Sequence, residues 1–333
     1  VQVNRKELLR TLKVNQIAVT RHEILDQSNC LVFGAGTISS FDGEILVRTK
    51  SPLDLENAVV PADDLIKLLA KYPDEEIDIR KKGSEVLVQG KRRRAGISCV
   101  SEVSLPLGEI PIPKKWRKIR EGVPDALQQA AKTCGRNSAS PVTTMVHVTK
   151  DLVEACDNYR LYRYSGQTGF PREVSVPGES IAKLDGLGVL KTAVSNEGWI
   201  HWLIEEGHEI VCRCYALKYP THIEKILKLS TASDVRLPPN LSKILGRATI
   251  MTGDNPLVRV EIKKGLISVI GRKESGWYRE QKRIRYDGPT LAFDVHPLFL
   301  DEILKRSRKV QIGNRKMKIA TDNVEFVVCL EVD

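Results

Sequence analysis

One pattern occurs three times along this chain, and a long internal repeat restricts the possible folds more than any local motif does. Each copy has a strand with a valine-containing end, a short helix rich in Leu and Ile, and two further strands. In the first copy, Ala58-Val59-Val60-Pro61 leads into a helix over 62–71 with Leu65, Leu68 and Leu69 on one face, and strands follow at 76–79 and 85–88. In the second, Val174-Ser175-Val176-Pro177 leads into a helix over 178–190, with strands near 199–204 and 209–214. In the third, Leu291-Ala292-Phe293-Asp294-Val295 precedes a helix over 297–306 and strands at 310–312 and 326–328. Each copy also opens with a helix, over 5–13, 124–136 and 239–248, whose apolar residues (Leu8, Leu9 and Leu12 in the first) fall at helical spacing.

The unit is therefore helix, strands, helix, strands, and each copy is long enough to enclose a core of its own. This predicts an α+β chain of three similar domains, 1–116, 117–228 and 229–333, rather than a solenoid. The Pro-, Lys- and Arg-rich stretch 111–122 and the stretch 219–234 read as linkers.

Aromatic residues are only 5% of the chain, so its cores must rely on Val, Ile and Leu. No stretch approaches the roughly 18 consecutive apolar residues of a membrane span, and the first residues carry charge where a signal peptide would be apolar. A soluble, cytoplasmic protein with no membrane partner is expected. Seven cysteines, an odd number without a C-x-x-C pair, fit reduced thiols better than a secreted disulfide framework. A formal net charge of +10 favours polyanionic partners, nucleic acid first.

The first helix of every copy carries a basic pair at i, i+4: Lys6 with Arg10, Lys132 with Arg136, and Lys243 with Arg247. Residues four apart share a helix face, so each pair projects together, away from the apolar stripe. Lys13 extends the first pair, and the second helices add Lys67, Lys71, Lys183, Lys305 and Arg306. One such pair is ordinarily just solvated. The same pair in three equivalent helices predicts a positive surface facing a common axis. Backbone phosphates require only charge at the right distance, and the sequence offers no zinc-finger spacing, few stacking aromatics and no obvious recognition helix. Sequence-independent contact with duplex DNA is the expectation. The run Lys91-Arg92-Arg93-Arg94 fits a solvated hairpin tip and a phosphate contact about equally.

In order and spacing, these motifs resemble the β sliding clamp of bacterial DNA polymerase III, over residues 3–332. The resemblance rests on Gly36-Thr37-Ile38-Ser39, Val59-Val60-Pro61 and Gly90-Lys91-Arg92-Arg93, then Asp157-Asn158-Tyr159-Arg160-Leu161, Val174-Ser175-Val176-Pro177 and Tyr219-Pro220, and finally Phe293-Asp294-Val295 and Val327-Val328. It implies three clamp domains with helices inside and antiparallel sheets outside, closed head to tail with a second subunit into a ring. The implied activity is non-catalytic: a processivity factor on duplex DNA, working with a replicative DNA polymerase and an ATP-dependent clamp loader, without a cofactor. Family interface positions fall on Ala95, Ile97, Ile250 and Met251. The family's groove for partner peptides would include Val142, Cys156, Asn158, Arg160, Leu161, Pro220, Ile226, Val327, Val328 and Cys329. Asn158 and Tyr159 depart from the family's Gly and His, and the tail Cys329-Leu330-Glu331-Val332-Asp333 is acidic where the family has Met, Pro and Arg. Those departures and the basic charge suggest a divergent member, for instance one encoded by a phage and working in the host cytoplasm.

Other classes fare worse. Gly34-Ala35-Gly36 lacks the Gly and Lys-Ser/Thr of a phosphate loop. Cys212 and Cys214 alternate onto one strand face near His208 and His222, but the spacing matches no zinc pattern. Asp42 with Glu44, or Asp301 with Glu302, are acidic pairs with no nucleophile beside them. A nuclease or deaminase with a site assembled from distant residues, and a peptide-binding adaptor that does not encircle DNA, are the alternatives.

Overall fold

The computed structural model describes every residue except 54, 137–138, 205–206, 221, 255 and 333. The first repeat runs β1 (Gln2–Asn4), α1 (Arg5–Asn15), β2 (Cys30–Gly34), β3 (Thr37–Phe41), β4 (Ile45–Lys50), β5 (Ala58–Pro61), α2 (Ala62–Lys71), β6 (Glu76–Lys82), β7 (Glu85–Gln89) and β8 (Arg94–Ser98). The second runs β9 (Arg117–Lys118), α3 (Val123–Thr133), β10 (Met145–Val148), β11 (Leu152–Cys156), β12 (Arg160–Ser165), β13 (Val174–Pro177), α4 (Gly178–Ala182), β14 (Val189–Val194), β15 (Trp199–Ile204) and β16 (Glu209–Arg213). After α5 (Ile223–Leu227) the third runs β17 (Ser233–Arg236), α6 (Leu241–Thr249), β18 (Val258–Lys263), β19 (Leu266–Lys273), β20 (Gly276–Arg283), β21 (Leu291–Val295), α7 (Pro297–Arg306), β22 (Lys309–Gly313), β23 (Lys316–Ala320) and β24 (Val324–Cys329).

Two expectations need correction. The helix expected over 178–190 stops at Ala182, because Gly186 and Gly188 take positive φ and turn the chain into β14. The expected linker 219–234 contains α5, whose Ile223 and Leu227 are buried.

Sheet order follows one rule. The half-sheet β5-β2-β3-β4 joins β16-β15-β14-β9, and β13-β10-β11-β12 joins β24-β23-β22-β17, so each sheet has eight strands. The seams are the antiparallel pairs β4–β16 and β12–β24. The halves β21-β18-β19-β20 and β8-β7-β6-β1 repeat the same two orders but stop at four strands each. Among the described residues, β20 and β8 therefore have open edges where their counterparts meet partners.

The chain packs as two compact units, Val1–Pro124 with Thr168–Ala216, and Asp125–Gln167 with Leu217–Asp333. In the first, Leu8 and Leu12 of α1 and Leu65 and Leu69 of α2 pack on Phe33, Ile38, Val60, Ile77 and Val86, all essentially buried. Each such side chain contributes roughly 1.5–3 kcal/mol of transfer free energy. Local chemistry sets the helix ends. Asn4 caps α1 by accepting from the Lys6 and Glu7 amides, and Arg5 donates to Leu69 O at 2.8 Å, satisfying a carbonyl at the end of α2. In the second unit, α6 buries Leu241, Ile244, Leu245 and Ala248, and α7 buries Pro297, Leu300 and Ile303.

Candidate functional site

The helix cations divide by what they touch. Lys6, Arg10 and Lys13 are exposed on α1, opposite Leu8 and Leu12. Lys6 pairs with Glu75 at 2.5 Å, but both side chains are largely solvated, so the pair holds little energy. Lys67 pairs with Asp63, Lys183 with Asp42, Lys305 with Asp301, and Arg247 with both Glu280 and Tyr278. Lys13, Lys71, Lys132 and Lys243 are exposed and pair with no described residue. Two expectations fail on geometry. Arg136 lies beyond the end of α3 at Thr133, so it shares no helix face with Lys132. Arg306 turns inward: its guanidinium sits 4.2 Å from the Phe326 ring centroid and donates to Gln129 Oε1 at 2.7 Å, which makes it a packing residue. Lys91, Arg92 and Arg93 occupy the turn between β7 and β8, closed by Gly90 N donating to Arg93 O.

Most of the implied groove gathers in the second unit. Ile223 and Leu227 of α5 pack on Cys156, Leu161, Tyr219 and Val327, with Val142 and Ile226 half-buried against them. The Tyr219 ring is stacked on His147 with centroids 4.3 Å apart, and its hydroxyl donates to Cys156 Sγ at 3.5 Å. Burial raises both the Tyr219 hydroxyl and the Cys156 thiol, so both stay neutral. Beside this floor, on the same face of the sheet, Arg163 donates to Glu154 at 2.7 Å and to Glu224 of α5, and His147 Nδ1 lies 2.9 Å from the other Glu154 oxygen. The network fastens α5 to the sheet. Lys316 Nζ donates to the carbonyls of Lys225, Ile226 and Lys228, and Lys318 Nζ to that of Leu227, which satisfies the end of a helix too short to be stable alone. A cleft of 440 Å³ opens alongside, lined by Ile226, Cys329 and Leu330 and by the polar groups of His222, Lys225, Asn314, Arg315 and Lys316.

The other implied groove residues fall as follows. Asn158 is exposed in the β11–β12 turn, and Pro220 is half-buried just before α5. Arg160 spans Asp157 and Glu302, with Nη1 2.7 Å from the latter, and lies over the Phe299 ring. Val328 is fully buried, and as the neighbour of Val327 in a strand it faces the other side of the sheet, so it belongs to the core. Asp333 lies outside the described residues. Tyr219, Ile223, Leu227 and His147 were not among the expected groove residues. The apolar spacing Ile223, Ile226, Leu227 was the available signal. Of the interface positions, Ala95 is half-buried on the open strand β8, Ile97 points into the core of the first unit, Ile250 is 67% exposed after α6, and Met251 is half-buried. Cys212 is fully buried, and that burial pushes its thiol up to about 12.

Joined half-sheets repeated along the chain, with a helix pair in each repeat, define a sliding-clamp fold. More narrowly, the fold is that of the beta subunit of bacterial DNA polymerase III. The structure matches that subunit from Streptococcus pneumoniae with a TM-score of 0.86 and 16% identity, covering 100% of this chain and 99% of that one. The Bacillus subtilis DNA polymerase sliding clamp matches with a TM-score of 0.85 and 14% identity, over 100% and 98%. A Pseudomonas aeruginosa sliding clamp bound to griselimycin matches with a TM-score of 0.81 and 17% identity, over 100% and 99%. No protein-family model matches the sequence, and no curated protein matches it. Likeness at such low identity establishes the fold.

Proposed function

We propose that the chain is one subunit of a DNA sliding clamp, a non-catalytic processivity factor built of three domains, 1–116, 117–228 and 229–333. Two copies close head to tail around duplex DNA, opened by an ATP-dependent loader, and hold a replicative polymerase by a peptide motif. The observation that carries this is the sheet order. Four of six equivalent half-sheets are joined inside the chain, and the remaining two end on β20 and β8. Pairing β20 of one copy with β8 of the next completes a third eight-stranded sheet, and doing so twice closes a ring without a free seam. Lys13, Lys132 and Lys243, together with Lys6, Arg10 and Lys71, supply unspecific phosphate contacts, and the apolar floor around Leu161 and Tyr219 takes the anchor residues of a peptide.

Solution mass and small-angle scattering over a concentration series test the ring. A hollow particle near twice 37.3 kDa that is retained on circular but not on linearised DNA is the expected result. A compact monomer at every concentration refutes encirclement and leaves a peptide-binding adaptor of the clamp fold.

A further inference from the structure

The two seams inside the chain define the register that a third seam would take. In each, the first strand leaves a hairpin closed by the pair Asp42–Ile45 or Asp157–Arg160, with the amide of the first residue donating to the carbonyl of the second. One residue further along stand Leu46 and Leu161, which face Val211 and Val327 across the seam. Two residues beyond these stand Arg48 and Arg163, which face Glu209 and Glu325. The hairpin of the third repeat closes on Lys273–Gly276, so its counterparts are Trp277 and Arg279. On the other side, Glu325 directly follows a turn in which Thr321 N donates to Val324 O. Arg94 likewise follows the turn in which Gly90 N donates to Arg93 O, so Arg94 and Gly96 are the counterparts of Glu325 and Val327.

We infer that a second copy of this chain pairs its β8 with β20 so that Trp277 lies across from Gly96 and Arg279 across from Arg94. This rests on the ring proposed above and fixes its contact residue by residue. The chemistry of that register differs from the internal seams in two ways. Leu46–Val211 and Leu161–Val327 are each covered by the segment that joins two repeats: Leu105 and Ile110 over the first, Ile223 and Leu227 over the second. No segment joins one copy to the next. At that position the pair is instead the largest side chain against none. In the single chain the end of the flexible Glu85 side chain lies over Gly96, its carboxylate 3.2–3.4 Å from where a Cβ would stand, so Trp277, itself 64% exposed, supplies its own cover by displacing that carboxylate from the Gly96 backbone. The second difference is electrostatic. Arg48 meets Glu209 at 3.2 Å in the first seam, whereas Arg279 would meet Arg94, a like charge directly opposite. Glu261, 3.3 Å from Arg279, offsets part of that repulsion. The contact between copies is therefore an aromatic anchor with an electrostatic penalty beside it, which favours a seam that a loader can open.

Dimer dissociation constants from mass photometry and sedimentation, on the full chain, test the register. Trp277→Ala should weaken the dimer by about tenfold or more per seam, as expected for a central aromatic anchor. Arg94→Glu should tighten it several-fold, because it restores the opposite-charge pair of the first seam. Both residues are exposed in the single chain, so unchanged circular dichroism and thermal unfolding of each variant would separate association from folding. A dimer whose constant is insensitive to both substitutions overturns the register and leaves the ring intact. A wild-type chain and an Arg94→Glu variant that are both monomeric at every concentration overturn the ring and the register together.

Discussion

Replacing Lys13, Lys132 and Lys243 by Gln in one chain removes three exposed positive charges that pair with no described residue. Substitutions at such exposed positions usually change stability by no more than about 0.5 kcal/mol, so folding should be preserved. In a two-copy ring six lysines are lost. If each neutralises one phosphate of B-form DNA at about 0.9 in log–log slope, the salt dependence flattens by about 5. Between about 50 and 200 mM salt, the wild type should then lose about a thousandfold more affinity than the variant. Fluorescence anisotropy of a labelled duplex over a salt series gives both slopes. Parallel lines would refute the assignment even if the variant bound more weakly, since losing phosphate contacts must change the slope. Gln suits this test because it removes charge without adding the repulsion that Glu would bring.

Three further outcomes follow from the geometry. Glu209 is 14% exposed; burial alone would raise its carboxyl, but the hydrogen bond with His201 and the Arg48 guanidinium hold it below 4.5. A depressed carboxylate stabilises the fold above its unfolded value and loses that contribution as pH falls through the folded one. Glu209→Gln should therefore cost about 1.5–3 kcal/mol in urea unfolding near neutrality, with the difference from wild type shrinking below pH 4.5; a constant difference down to about pH 3 would contradict this. Gly271→Ala should destabilise the second unit by about 1–3 kcal/mol, because a Cβ there would meet Ala248 O at 2.0 Å; an unchanged melting temperature would show that α6 can move aside. Maleimide should modify exposed Cys329 first, whereas Cys30 and Cys212, raised by burial to about 11 and about 12, should lag, as peptide mass spectrometry would report.

The repeat was legible because local rules and tertiary structure agree there. The helices over 62–71 and 297–306 begin after strands that end in Pro61 and Val295, and periodicity placed both. The misjudged helix end at Ala182 conflicts with two glycines that were visible in the sequence. Charge destinations were less legible. Arg306 and Lys305 are neighbours of similar character, yet one is stacked on Phe326 and the other solvated, because only the first faces a ring from β24. Nor could spacing show that Arg163, Glu154, His147 and Glu224 meet beside the Leu161 cluster, since β12 and α5 are brought together only in the folded chain. The resemblance assigned Leu161, Val327 and Val328 alike to its implied groove; Leu161 and Val327 share one apolar cluster with α5, while Val328, the next residue in the strand, is buried apart from it.

The seam between β4 and β16 has a consequence for synthesis on the ribosome. Arg48 and Glu209 are 161 residues apart in sequence. At about 5–20 residues per second, an interval of that length takes on the order of ten seconds or more. Throughout it β4, whose Ile45, Leu46 and Val47 end up buried, has emerged without the strand that will cover its edge. The nascent chain thus carries an apolar, unpaired strand, the kind of surface that aggregates or recruits chaperones. Translation pauses or rare codons between β4 and β16 should therefore reduce the soluble yield more than pauses placed after Arg213.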